Sequence, residues 1–77
     1  MIPSRIPRRP VKSSNLKQVG YDPLTQDLVI EFHSGTMYLY KAIPTVVHTD
    51  LMAAKSKGKF FNEVIRNRFL ALPVSKV

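Results

Sequence analysis

The chain has 77 residues, and its 12 Lys and Arg against 5 Asp and Glu give a formal net charge of +7. A chain this short forms at most one domain and buries only about 60% of the surface that its unfolded form exposes, so a deep active-site cavity is not expected. It contains no cysteine, which excludes disulfides, thiolate metal ligands and a cysteine nucleophile. No apolar run approaches the roughly 18 residues of a membrane span, so we expect a cytoplasmic protein without membrane contact.

The first twelve residues differ from the rest of the chain in composition. Pro3, Pro7 and Pro10 forbid a continuous helix and favour an extended segment. The segment has four basic residues and no acidic one. We predict a flexible Pro- and Arg-rich arm over residues 1–12, a single domain over residues 13–70 and a C-terminal tail over residues 71–77.

Residues 16–40 predict three strands. The stretch "LKQVGY" is followed by the turn "YDPLTQD", a second strand "LVIEFH", a Ser-Gly turn and a third strand "MYLY". If Ser34 and Gly35 form a two-residue hairpin loop, Phe32 pairs with Met37 and Ile30 pairs with Leu39. One face of the sheet then holds the aliphatic core, formed by Leu28, Ile30, Phe32, Met37 and Leu39. Tyr38 and Tyr40 share the opposite, more amphipathic face; a longer loop would change the partners but leave the two tyrosines together.

Two helices are predicted after Pro44, which suits a helix start. Val47, Leu51 and Ala54 have helical spacing, and Gly58 is expected to stop that helix. A second short helix follows, with an apolar stripe formed by Phe61, Val64, Ile65 and Phe69. The predicted fold is therefore α+β, a three-stranded antiparallel β-meander followed by two short helices packed on one face.

No catalytic or metal-binding constellation is visible in the sequence. The Gly58-Lys59 pair lacks the glycine and the hydroxyl residue that a phosphate loop requires, since Ala53 and Phe60 occupy those positions. His33 and His48 have no spacing that brings three or four ligands together. We therefore predict a protein that is not an enzyme and needs neither a metal nor another cofactor.

The basic charge and the two tyrosines favour nucleic-acid binding. Cationic side chains follow phosphates while aromatic rings stack on bases, which is the usual chemistry of single-strand recognition. The predicted RNA-binding residues are Tyr38, Tyr40, Lys41, Lys57, Lys59, Arg66 and Arg68. Two alternatives stay open. The tyrosine face and the second helix could contact a protein partner or a second copy of the chain, or the tyrosine rings could belong to the core if the helices cover their face.

Several short pieces of the sequence, in this order and spacing, resemble the KTSC domain. These pieces are Ser14-Asn15, Gly20-Tyr21-Asp22, Glu31-Phe32, Ser34-Gly35, Tyr38-x-Tyr40, Pro44, Ser56-x-Gly58, Phe61-Asn62 and Ile65. The family is named for its occurrence at the carboxyl end of some lysyl-tRNA synthetases, and it also occurs as a free-standing small protein in bacteria and phages. The resemblance implies a non-catalytic module of unestablished function with RNA, and tRNA in particular, as the suggested ligand. It does not extend to the arm, so it implies no role for Arg5, Arg8 or Arg9.

Overall fold

A six-stranded sheet with two helical segments on one face forms the protein. The computed structural model describes residues 2–3 and 6–75, so Arg5 lies outside the described residues. The strands are β1 (Ile2–Pro3), β2 (Arg9–Pro10), β3 (Leu16–Asp22), β4 (Asp27–Phe32), β5 (Met37–Tyr40) and β6 (Ala71–Ser75). The helices are α1 (Thr45–Ala53) and α2 (Lys57–Phe60), and α2 continues as a π-helical segment, Phe61–Ile65. No helix among these residues is long and apolar enough to cross a membrane.

The predicted α+β class is confirmed, but the predicted number of strands is too low. The strand order is β1-β6-β5-β4-β3-β2; the five strands from β6 to β2 pair antiparallel, and β1 pairs parallel with β6. Residues 71–75, predicted as a tail, pair with β5, and Pro73 lies opposite Tyr38. Proline is tolerated there because β6 is next to the edge of the sheet and has only the two-residue β1 on its other side.

The hairpin between β4 and β5 has a three-residue loop instead of the predicted two-residue loop. The amide of Gly35 donates to the carbonyl of Phe32 at 2.9 Å, and the amide of Phe32 donates to the carbonyl of Thr36 at 2.9 Å. Gly35 has a φ of 97°, which places the left-handed residue at the end of the loop. The register therefore shifts by one residue, and Ile30 pairs with Tyr38.

This shift exchanges the predicted faces of β5 and leaves those of β4 unchanged. Tyr40, which is only 5% exposed, packs in the core between the sheet and the helices. That core contains Leu16, Val19, Leu28, Ile30, Tyr40, Ile43, Leu51, Phe61 and Ile65. Met37 and Leu39 instead join Val29 and Val74 in a second buried cluster. The predicted aliphatic face is therefore wrong for β5, because one residue of register moves every side chain of a strand to the other face. Leu28 and Ile30 of β4 keep their predicted place in the core.

The helices begin and end differently from the prediction. Gly58, predicted as a helix stop, lies buried in the first turn of α2, and α1 already ends at Ala53. The side chain of Ser56 caps α2 by accepting a hydrogen bond from the amide of Lys59. Phe61 and Ile65 are buried as the predicted apolar stripe requires.

The described part of the arm is paired with the sheet. Arg9 and Pro10 lie opposite Val19 and Gln18 of β3, and Ile6 packs against the second buried cluster. The extended conformation follows from the prolines. The flexibility of the arm and the domain boundaries remain predictions.

Candidate ligand-binding cleft

A cleft of about 540 Å³ lies between the β4–β5 hairpin and the second helical segment. Its walls come from the start of β3, the hairpin, the π-helical segment and the start of β6. The lining residues are Ser14, Asn15, Phe32, His33, Ser34, Tyr38, Tyr40, Phe61, Asn62, Arg66, Asn67 and Ala71. The cleft thus combines aromatic rings, amides, hydroxyls and one guanidinium, and its lining contains no carboxylate.

Four aromatic rings form the apolar wall. Phe32 and Tyr38 meet with their centroids 6.5 Å apart, and Phe61 contacts Phe32 at 5.3 Å and Tyr40 at 5.5 Å; all three pairs are edge to face. Edge-to-face contacts fix each ring through its neighbours. Tyr38 is half-buried, so its ring is the more accessible of the two tyrosines.

The hydroxyl of Tyr40 stays protonated throughout the physiological range. Burial, together with the nearby Tyr38, raises the pKa of Tyr40 to about 12, against a smaller lowering effect of Arg66. A protonated phenol can donate a hydrogen bond, which a phenolate cannot. Arg66 lines the same cleft as Tyr40.

Hydrogen bonds hold the hairpin side of the cleft in place. The backbone amide of His33 donates to the carbonyl of Asn15 at 3.0 Å, and the His33 ring nitrogen Nε2 lies 2.9 Å from the carbonyl oxygen of Ser13. Ser34 Oγ is 3.0 Å from Thr36 Oγ1. The hairpin tip is therefore tied to the start of β3, which brings Asn15 and His33 to the same rim.

The π-helical segment explains how three polar side chains reach one cleft. The amide of Arg66 donates to the carbonyl of Phe61 at 2.9 Å, five residues earlier. This wider turn aligns residues four and five apart, so Asn62, Arg66 and Asn67 all line the cleft. Short π-helical segments occur frequently at functional sites.

Three of the seven predicted RNA-binding residues line the cleft: Tyr38, Tyr40 and Arg66. Tyr40 is too buried to offer a ring face to a base. Lys41 forms an ion pair with Asp27 at 2.7 Å, and Lys57 Nζ donates to the carbonyl of Ala54 at 3.1 Å. Lys59 and Arg68 are exposed but do not line the cleft.

The sequence analysis missed the amide residues of the cleft. Asn15, Ser34 and Asn62 all belong to the short sequence pieces that resemble the KTSC domain. This was the one feature of the sequence that could have indicated a common site for them. Nothing in their spacing shows that they converge, because the hairpin and the second helical segment meet only in the folded chain.

The two histidines lie in separate surroundings. His33 contacts Ser13, whereas His48 stacks on Tyr21 with ring centroids 4.4 Å apart and an angle of 15° between the rings. Burial lowers the pKa of His48. Within residues 6–74, no group of three His, Asp or Glu side chains is arranged to hold a metal ion.

Comparison with known proteins gives a consistent result. The sequence model of the KTSC domain matches residues 12–69. A protein from Tsukamurella paurometabola is 44% identical over 64 residues, which cover 83% of this chain and 96% of that protein. A crystal structure of a KTSC domain protein from Yersinia pestis has a TM-score of 0.86 and 39% identity, covering 91% of this chain and 99% of that one.

A protein named lysine–tRNA ligase, from Nostoc punctiforme, is also similar. It is 45% identical over 58 residues, which cover 75% of this chain but only 10% of the ligase. The similarity therefore concerns one small part of that protein. The family predicted from the short sequence pieces is confirmed, and the chain belongs to the KTSC domain family.

Proposed function

We propose that the protein is a small RNA-binding module that takes an unpaired nucleotide in the cleft. The observation that supports this function best is the composition of the cleft, with aromatic rings, three asparagine amides and Arg66 in a lining without carboxylates. The KTSC domain is a small module of unknown function and is not a known catalytic family. Binding, not turnover, is therefore the function to test.

The cleft offers each part of a nucleotide a suitable contact. A base can stack on the half-buried ring of Tyr38, while the amides of Asn62 and Asn67 have both donors and acceptors for base edges. Arg66 supplies the positive charge for a phosphate. Single-stranded RNA suits the cleft better than a duplex, because only an unpaired base can leave its stack and enter.

The wider surface and the relatives also support this proposal. Lys59 and Arg68, which precede and follow the π-helical segment in the chain, are exposed and add positive charge to the surface of this part of the chain. The Nostoc punctiforme relative is named for a reaction on tRNA, so a similar segment is carried by a protein that acts on RNA. These considerations make RNA the first ligand to test.

The direct test is an amide-shift titration with a short single-stranded RNA and a duplex of the same sequence, at low and at about 0.15 M salt. We expect shifts around Tyr38, Asn62 and Arg66 that persist at the higher salt with the single strand. Tyr38→Leu keeps an apolar side chain but removes the stacking face, and it should weaken binding about 5- to 100-fold. Lys17→Ala, which removes an exposed cation from β3, is the matched control and should weaken binding little.

Loss of every shift at the higher salt would contradict RNA binding and leave only unspecific attraction of a basic chain. Equal effects of Tyr38→Leu and Lys17→Ala would contradict the cleft as the binding site. The remaining proposal would then be contact with a protein partner or with a second copy. Exposed apolar side chains such as Leu70, which is 65% exposed, could contribute to such a contact.

A further inference from the structure

The N-terminal arm contacts both edges of the sheet. β2 adds to the free edge of β3 in the antiparallel sense, and β1 adds to β6 in the parallel sense. A free edge exposes unpaired N–H and C=O groups that readily accept another extended segment. The arm supplies that segment at each edge.

Between these two edges lies the second buried cluster, on the face of the sheet that the helices do not cover. It is formed by Val29, Met37, Leu39 and Val74, and Ile6 of the arm packs against it. Glu31 lies on the same side of β4 as Val29 and is only 4% exposed. Glu31 accepts a hydrogen bond from Gln18 at 2.6 Å, so the face offers the arm mainly an apolar surface.

Gly20 determines how closely the arm approaches. A Cβ atom at this position would lie 2.5 Å from the carbonyl oxygen of Pro7, closer than two such atoms can be. The backbone of the arm thus fits against the strand only because residue 20 has no side chain. This steric requirement identifies a position where one methyl group interferes with docking.

The arm lies outside the part of the chain that matches the KTSC domain, which begins at residue 12. The domain together with β6, which lies beyond the end of the match, therefore presents two pairing edges, and the arm occupies both. We propose that this face is a strand-docking surface that also accepts the arm of a second copy, producing a dimer by exchange of arms. A second copy fits because its arm has the same sequence and makes the same contacts.

The energetics predict when the exchange occurs. Docking within one chain benefits from an effective concentration in the mM range, so at μM concentrations each arm stays on its own domain. An arm that cannot dock on its own domain loses this advantage. It is then free to bind a second copy whose face is empty.

Two complementary variants test the exchange. Gly20→Ala adds a Cβ that prevents docking on the face of that variant but leaves its arm unchanged. Ile6→Asp places a charge in the arm that prevents the arm from docking but leaves the face unchanged. We expect each variant alone to be a monomer with unprotected arm amides by hydrogen exchange. An equimolar mixture at about 0.1 mM should form a one-to-one dimer in sedimentation velocity, because the intact arm of one variant meets the intact face of the other.

The control replaces Gly20→Ala with Lys17→Ala, an exposed position on the same strand. Lys17→Ala leaves its own arm docked, so its mixture with Ile6→Asp should remain monomeric. A monomeric mixture of the two complementary variants, both folded, would overturn the exchange. Protected arm amides in Gly20→Ala would overturn the docking geometry itself.

A second measurement uses the unmodified chain, so it tests arm docking from another molecule even if one of the variants fails to fold. A synthetic peptide of residues 1–10 is titrated to mM concentration, where it competes with the attached arm. Saturable movement of the attached arm's own Ile6 and Arg9 amide signals towards the positions of an undocked segment would support docking from another molecule. Unchanged signals of these two amides at mM peptide would overturn it.

Discussion

Gly35 lies in the turn between β4 and β5 and Gly58 is buried in the first turn of α2, and the two glycines have different physical roles. Gly35 has a φ of 97°, which costs any other residue strain, whereas a Cβ at Gly58 would meet mainly the movable side-chain amide of Asn15 at 2.9 Å. We expect Gly35→Ala to lower the free energy of unfolding by about 1–2 kcal/mol. Gly58→Ala should be close to neutral, since about 1 kcal/mol of helix propensity offsets the displaced amide.

Urea unfolding of the two variants checks this prediction. Equal losses in both would show that tight packing, not backbone conformation, determines the need for glycine. The comparison also bears on the cleft, because Asn15 lines it. A displaced Asn15 amide in Gly58→Ala should change its side-chain NMR signals even where stability is unchanged.

His48 makes stability depend on pH. Burial lowers its pKa from the usual 6.5, so the unfolded chain binds a proton before the folded chain does as the pH falls. The contribution of this residue is therefore fully present above about pH 6.5 and is lost as the pH falls through 6.5 towards the lower pKa of the folded state. Its stacking partner Tyr21 is also fixed, with its hydroxyl donating to the carbonyl of Ile43.

We expect the urea midpoint of the unmodified chain to be lower at about pH 5 than at about pH 7.5. In His48→Gln, which does not titrate, the difference between the two pH values should be smaller. An identical pH dependence in both proteins would show that the carboxylates alone account for it.

At the scale of elements, the second helical segment depends on its cap. The hydroxyl of Ser56 accepts a hydrogen bond from the Lys59 amide at 3.3 Å, at the start of α2. Ser56→Ala should lower the free energy of unfolding by about 1 kcal/mol. Ser14→Ala, at an exposed position before β3, is the control, and an equal loss there would argue against a specific role of the cap.

The sequence predicts some of the strands and helices correctly and others not. The three central strands, the helix after Pro44 and the burial of Phe61 and Ile65 follow from local patterns and agree with the structure. The predicted faces of β5 were wrong because the loop has three residues, a choice that Ser34 and Gly35 leave open. Once the register shifts, Tyr40 becomes core, and only Tyr38 and Arg66 remain as accessible predicted residues in the cleft.

At the scale of the whole molecule, the two ends of the chain add strands to the sheet that the central strands form. β6 pairs with β5 beyond the end of the KTSC match at residue 69, and the arm pairs before its start at residue 12. Pairings between strands that are far apart in the chain leave little trace in the local sequence pattern of either strand. Pro73 and the three prolines of the arm favour a loose end in any local analysis, although each is compatible with a strand at or near an edge.

The last prediction concerns these same ends. A fragment of residues 12–69 lacks Ile6 and Val74, so it uncovers Val29, Met37 and Leu39. Each such side chain stabilises a fold by about 1.5–3 kcal/mol when fully buried, whereas a chain of this length has a total of about 4–12 kcal/mol. We therefore expect the fragment to be largely unfolded by circular dichroism, while a chain ending at residue 75 remains folded. A fragment with the urea midpoint of the full chain would show that the second cluster contributes little and that the helix-covered core alone specifies the fold.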